Sequence, residues 1–422
     1  MQAHSVLREA IAAVRPGLEV ADIFHTYGED YRNTHPLNKE QLKAMTDIQR
    51  CRTAALGGHV DVCDNGCGFM RISYNSCRNR NCPKCQSLQS ARWLEKQCER
   101  ILPTRYFHVI VTFPHELNPL ILHNKEVLYN ILFRSAAQSL LELARDWKRL
   151  QAHIGFTAVL HTWNQDLRFH PHLHLVVTAG GLDQSQTRWI ESRNKFLVPV
   201  KALSVKIRGK FVHLLKRAYT AGKLVLQGSV QDLADPETFG SFVKALYRKN
   251  WNLHAKQPFA GPEHVFAYLS RYTHKVAISN SRLVAMTDGS ITFLARDNHN
   301  TAKKRTVTVT AQEFIRRFLL HVLPARFIKI RHYGLMASTN ARTKLQIARE
   351  LLEQARPQAP ESKPASSSLQ PARTWQEIFL HVTGVDLTVC PQCGKGRLVR
   401  QPLCTLHETT AFPTAPIFLD SS

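Results

Sequence analysis

The sequence predicts an α+β fold, an antiparallel sheet with helices packed against it and a small cysteine-rich module at either end. Three observations carry this. Apolar runs of strand character alternate with helical periodicity from Tyr106 to about residue 353. Seven of the ten cysteines precede residue 104. The other three follow a Pro/Ser-rich stretch, "RPQAPESKPASSSLQPAR".

These features divide the chain into a cysteine-rich module over 1–104, a core over 105–353, a flexible linker over 354–374 and a small C-terminal piece over 375–422. Within the core, "YFHVIVTF" reads as a strand and "EVLYNILFRSAAQSLLELARDW" as a helix. "FTAVLHTW" is a second strand, and "RFHPHLHLVV" begins a third that ends at "AGG". Helices follow in the basic run and around Phe239–Trp251. "SRLVAMTDGSITFLAR" is a hairpin turning on Asp288-Gly289, and "AQEFIRRFLLHVL" and "TKLQIARELLEQA" are helical.

Lys+Arg 56 against Asp+Glu 32 gives a formal net charge of +24, and 44% of the residues are hydrophobic. A globular chain with that excess predicts a polyanionic partner, nucleic acid before an anionic membrane surface. The charge is clustered. Residues 193–223 carry nine Lys/Arg and no acid, and a second basic region includes Lys303, Lys304, Arg305, Arg316, Arg317 and Arg331. No run approaches the about 18 apolar residues of a membrane span, and the N-terminus lacks a signal-peptide pattern. A cytoplasmic location is expected, where thiols stay reduced and ten cysteines point to metal.

Cys63 and Cys67, with Cys82 and Cys85, form two thiolate pairs on turn-rich segments, the donor set of a tetrahedral structural zinc. Cys77 and His59 compete for places in that set or belong to a second site. Cys51 shares helical spacing with Leu42, Met45 and Ile48 and reads as a core thiol, as does Cys98 after Leu94. Cys390 and Cys393, with Cys404 and His407, have the spacing of a second, self-contained zinc ribbon.

His170, His172 and His174 alternate along a strand, so their imidazoles share one face. Two chemistries fit: a divalent metal held by two imidazoles and a nearby oxygen, or a histidine-triad nucleotide hydrolase, whose signature "HPHLHLVV" formally satisfies. Downstream, "GPEHVFAYLSRYTHKVAISNSR" places Tyr268 and Tyr272 on one helix face, with Arg271 and Lys275 adding charge. A tyrosine pair beside a metal site suits in-line attack on a DNA phosphate. Paired tyrosines, a basic surface and zinc modules have no use in a nucleotide hydrolase.

Six segments resemble one family: "LGGHVDVC", "YNSCRNRNCPKCQ", "WLEKQCERILPTRYFHVIVTFPHEL", "VLHTWNQDLRFHPHLH", "AYLSRYTHKVAISNSR" and "RRFLLHVLPARFIKIRHYGLMA". The chain is similar, from Leu42 to Ala337 and with the motifs in family order, to the rolling-circle (HUH, two-tyrosine) transposases of the bacterial insertion sequence ninety-one family. That resemblance implies an HUH-type nuclease core behind an N-terminal zinc-binding domain. It implies a single-strand DNA nickase and strand transferase working through a 5′-phosphotyrosine.

By the same resemblance His172 and His174 fall on the family's metal pair for Mg or Mn, and Tyr268 and Tyr272 on its nucleophiles. Gln165 is the choice for third ligand and His161 the reserve. Partners implied are single-stranded DNA at element ends and target, with self-association left open and a place beside the nucleoid. Two departures touch the zinc ligands: Asn81 stands where the family commonly has histidine, and the first knuckle has three intervening residues rather than two. The C-terminal ribbon is also short for the family. A non-catalytic DNA-binding regulator descended from such an enzyme is the rival reading.

Overall fold

The structure, a computed structural model, describes residues 17–85, 100–192, 198–259, 277–296, 303–355, 380, 386–403 and 418–419. In chain order its elements begin with α1 (Val20–Thr34), α2 (Lys39–Arg50), β1 (Gly58–Cys63) and β2 (Met70–Tyr74). Then come β3 (Tyr106–Thr112), α3 (Asn118–His123), α4 (Lys125–Arg145), β4 (His153–Trp163), β5 (Phe169–Leu182) and β6 (Trp189–Glu191). Next are α5 (Val200–Thr220), α6 (Pro236–Arg248), β7 (Leu253–Phe259), β8 (Leu283–Thr287), β9 (Ser290–Arg296) and β10 (Lys304–Thr310). The last are α7 (Ala311–Leu320), β11 (Ile330–Gly334), α8 (Lys344–Gln354), β12 (Leu398–Pro402) and β13 (Phe418–Leu419).

The chain divides into two compact units, and neither is contiguous. The first joins Met1–Leu88, Ile278–Ile315 and Pro360–Ser422; the second joins Gln89–Ala277 and Arg316–Ala359. The linear division at residues 104, 353 and 374 is therefore cut across, because strand pairing ties distant segments together. In the first unit β12 pairs with β1, Cys63 opposite Leu398 and Asp61 opposite Arg400. β1 also pairs with β2, and β13 completes the four-stranded sheet.

Asp61 is buried in that sheet between Arg71 and Arg400, at 3.2 and 2.9 Å. Burial opposes its ionisation, but the hydrogen bonds from Arg400 and Arg71 outweigh that and hold the carboxyl below its ordinary value. The hairpin expected at Asp288-Gly289 is β8–β9, with Thr287 opposite Ser290 and both turn residues at positive φ. Gly289 N–H donates to Tyr27 Oη of α1 at 3.2 Å, and Val20 N–H to Asn280 Oδ1 at 3.2 Å.

The second unit is built on a six-stranded sheet ordered β11-β4-β5-β3-β7, with β6 paired to β5. All its described pairings are antiparallel. Alternation sorts its side chains into two faces. Phe107, Val109 and Val111 of β3, Phe156 and Leu160 of β4, and Leu173, Leu175 and Val177 of β5 form one core with α4 and α5. The opposite face carries Tyr106 and Val176, which pack with Leu345 and Ala348 of α8. Farther along that face stand His108, His161, His172 and His174.

β11 ends at Gly334, whose φ of 60° is the left-handed region. A Cβ there would run into the Ile154 carbonyl oxygen. Gly334→Ala is expected to cost about 3 kcal/mol, the combined strain of backbone and clash. The midpoint of urea unfolding checks it, and an unmoved midpoint would refute the strain.

Candidate active site and cysteine clusters

β5 is the central strand of its neighbourhood, with β4 on one side and β3 on the other. Register sets His161 of β4 directly opposite His172, while His174 lies opposite Val159 and Ile110. Strand alternation then puts the three imidazoles on one face, where each offers a ring nitrogen and all three nitrogens lie within 4.8 Å of one another. Gln165, expected as third ligand, is an exposed residue of the Asn164–Arg168 turn between β4 and β5. His161, the reserve, is the group that closes with the pair. A seven-residue offset across a hairpin is what a two-strand register permits only once the turn length is known.

A backbone carbonyl sets the tautomer of His172. His172 Nδ1 is 2.7 Å from the His170 carbonyl oxygen, which only accepts, so Nδ1 holds the proton and Nε2 keeps its lone pair. His174 Nδ1 meets His108 Nε2 at 2.9 Å, and this aims His174 Nε2 at His172 Nε2, 3.0 Å away. When His174 donates to His108, its Nε2 lone pair faces that of His172, the pair of donors a cation takes; when His108 donates instead, His174 Nε2–H donates to His172 Nε2. Burial pushes His172 down to about 4, so at neutral pH the proton is disfavoured. The residues fit a divalent cation. Of the two ions expected, three imidazoles suit Mn, a transition metal, better than Mg, which is held by oxygen.

His170 lies beside the group, its ring 5.2 Å from that of His172. Tyr268, Tyr272, Arg271 and Lys275 fall outside the described residues. The basic residues are spread over both units. Lys303, Lys304 and Arg305 enter and begin β10 in the first; Arg316 and Arg317 on α7 and Arg331 on β11 belong to the second. Arg317 donates to the Asp166 carbonyl at 3.0 Å. Arg331 stacks 4.1 Å above Phe133 and donates to Asn130, so it is engaged with the fold.

On the helical side of the sheet, α4 and α5 border a groove of about 780 Å³. Arg134, His213, Lys216, Arg217 and Lys223 line it, and among the described residues no acidic one does. Farther along the same helix pair, Glu142 neutralises Lys206 and Lys210 at 2.9 and 2.8 Å.

The eight described cysteines are unbridged thiols gathered in two sets of four. Cys51, Cys77, Cys82 and Cys85 make one; Cys63, Cys67, Cys390 and Cys393 make the other. The expected quartet of Cys63, Cys67, Cys82 and Cys85 is thus divided between two clusters, because β1 turns its knuckle toward β12 and away from Cys82. Cys51 is corrected from core thiol to cluster member. It is the C-cap of α2, with ψ of 121°, so the chain leaves the helix there and the thiol no longer shares the apolar face. Its sulfur lies 3.4 Å from that of Cys85.

His59 stands on β1 outside both sets, 3.9 Å from Asp61, and burial lowers its pKa. Cys404 and His407, expected to close a C-terminal ribbon, fall outside the described residues, as does Cys98. Cys390 and Cys393 take Cys63 and Cys67 as neighbours. Hydrogen bonds from Cys77 and Cys82 lower Cys51 to about 7, and those from Cys51, Cys77 and Cys82 lower Cys85. The backbone N–H groups of Gly396 and Lys395 lower Cys393 to about 6. In each set, then, some thiols are drawn toward the thiolate that binds metal, while hydrogen bonds among the sulfurs and burial push Cys77 and Cys82 in one set and Cys63 and Cys67 in the other upward.

Residues 23–113 match the family described as "Transposase zinc-binding domain", and residues 155–344 the one described as "Putative transposase". A "Putative transposase y4qJ" of Sinorhizobium fredii (strain NBRC 101917 / NGR234) is 44% identical over 386 residues, 91% of this chain and 95% of that protein. The "Transposase for insertion sequence element IS801" of Pseudomonas savastanoi pv. phaseolicola is 28% identical over 325 residues, 75% of each chain. No solved structure matches. No described helix is long and apolar enough to cross a membrane. With an α+β architecture, thiol clusters in its first unit and a 44% identical relative matched over 95% of its length, this chain belongs to the transposases of the insertion sequence ninety-one family, with an N-terminal zinc-binding domain.

Proposed function

We propose that this transposase nicks and rejoins single-stranded DNA through a tyrosine nucleophile beside a metal held by His172, His174 and His161. The observation that carries the reading is the convergence of three imidazoles on one sheet face, with two Nε2 atoms 3.0 Å apart. A bound divalent cation supplies Lewis acidity to a phosphate, withdrawing charge from the phosphorus. The chain's own residues do the rest. The phenolic oxygen of Tyr268 or Tyr272 bonds to phosphorus as its proton leaves to solvent. The bond from phosphorus to the 3′ oxygen breaks, and that oxygen takes a proton to become a free 3′-OH. The second tyrosine allows a second cleavage before the first link is resolved, as rolling-circle movement of an element end requires.

His108 acts by holding His174. The acid-free groove between α4 and α5 supports a surface that tracks phosphates, with Arg134, Lys216 and Arg217 placed to meet them. Cys51, Cys77, Cys82 and Cys85 hold the structural zinc of the N-terminal domain.

Incubation of the full chain with single-stranded DNA carrying the element's end and Mn, followed by a denaturing gel, tests the reading. A protein–DNA adduct is expected, lost on chelation and in Tyr268→Phe/Tyr272→Phe. An adduct that survives the double substitution refutes the tyrosine assignment. No adduct under any condition favours the DNA-binding regulator.

A further inference from the structure

The C-terminal cysteine pair is where sequence spacing and tertiary structure part most sharply. Cys390 and Cys393 lie beyond both regions that match known families, at 23–113 and 155–344. Their sulfurs nevertheless stand 3.6 Å from Cys67 Sγ and 3.7 Å from Cys63 Sγ, respectively. A disulfide needs about 2.05 Å. Four thiolates about 2.3 Å from a tetrahedral zinc stand about 3.8 Å apart along each edge, close to these separations.

The backbone around the four sulfurs is built for them. Gly396 N–H points at Cys393 Sγ at 3.4 Å, and Cys390 N–H donates to the Gly396 carbonyl at 2.8 Å, closing the second knuckle. The two knuckles are also joined to each other. Asp64 N–H donates to the Arg397 carbonyl at 3.0 Å, Arg397 N–H to Asp64 Oδ1 at 2.7 Å, and Gln392 Nε2 to the Cys67 carbonyl at 3.0 Å. A side chain at Gly396 would run into Cys63 Sγ, so only glycine allows this approach. Cys63, Phe69 and Cys390 form a small buried cluster, with Cys67 and Cys393 half-buried against it.

We propose that Cys63, Cys67, Cys390 and Cys393 form a second structural zinc site, which takes two thiolates from each end of the chain and makes residues 386–403 part of the N-terminal module. Zinc suits the donor set because it accepts four thiolates tetrahedrally and asks for no redox partner. The site clamps β12 onto β1 at the Cys63–Leu398 end of their ladder of five residue pairs. It stands apart from the nuclease reading and survives that reading's failure.

Elemental analysis of the purified full chain tests it directly. Two zinc ions per chain are expected in the wild type, and one in Cys390→Ser/Cys393→Ser. Hydrogen exchange should then speed up in β1 and β12 while α1 and α2 keep their protection. A zinc content that the double substitution leaves unchanged, or iron in place of zinc, would each overturn the proposal. Should the double variant lose both ions through unfolding, the cobalt-substituted chain decides. Cys390→His is expected to shift the visible d–d absorption of one of two cobalt ions to shorter wavelength, and an unaltered spectrum overturns the assignment.

Discussion

His172→Ala is expected to lower single-strand nicking in Mn by about 10²–10³-fold, the rate equivalent of about 3–4 kcal/mol of lost transition-state stabilisation. The loss comes from the proposed cation site: removing one of three imidazoles leaves two donors and an open sheet surface. His161→Ala should fall in the same range, whereas Gln165→Ala, on its exposed turn, should leave nicking nearly unchanged. That contrast decides the third ligand. Equal losses in both variants would put Gln165 in the set beside His161, and an active His172→Ala enzyme would remove the site from the chemistry. Mn affinity measured by titration calorimetry should follow the same order without reference to turnover.

The pH dependence has a definite sign. Burial disfavours the protonated form of His172 and pushes it down to about 4. Protons therefore compete with a metal only in acid, and Mn affinity should be flat from about pH 6 to 8. Affinity that climbs steeply through pH 6.5, the ordinary imidazole range, would mean that the side chain is not desolvated as the structure has it.

The second large effect is expected from Cys51→Ser. As a core thiol Cys51 would cost about 1 kcal/mol on replacement. As a ligand beside Cys77, Cys82 and Cys85 it should cost the zinc itself. Zinc binding of this kind is worth about 10–16 kcal/mol in small finger peptides, and it is folding energy for whatever the ion holds together. The helices α1 and α2 bury only a handful of large side chains, chiefly Ile23, Phe24, Tyr31, Met45 and Ile48, a core small enough for a metal to matter to its folding. Cys51→Ser is therefore expected to lose one zinc per chain and the protection of α2 amides, as Cys82→Ser should. Full zinc content with a modest fall in unfolding midpoint would return Cys51 to the core.

Local chemistry made much of this protein legible. The strand carrying His172 and His174 could be read because alternation is a property of neighbouring residues. The Asp288-Gly289 hairpin could be read because the turn type follows from two side chains. The helix α4 could be read because its apolar residues recur with helical spacing over six turns. Cys51 was misread for the same reason in reverse: its spacing continues the apolar stripe of α2, but the helix ends at that residue. His161 could be placed only once the length of the β4–β5 turn had set the register that brings it opposite His172.

By itself, then, the sequence determined the α+β class, the basic character, the family and the two-histidine strand, all of which rest on contiguous motifs. Tertiary structure alone decided how the thiols are grouped. Cys63 and Cys393 are 330 positions apart, and nothing in the spacing of either knuckle specifies its partner. That choice is made by the pairing of β12 with β1, by Asp61 held between Arg71 and Arg400, and by a glycine small enough to let two knuckles meet.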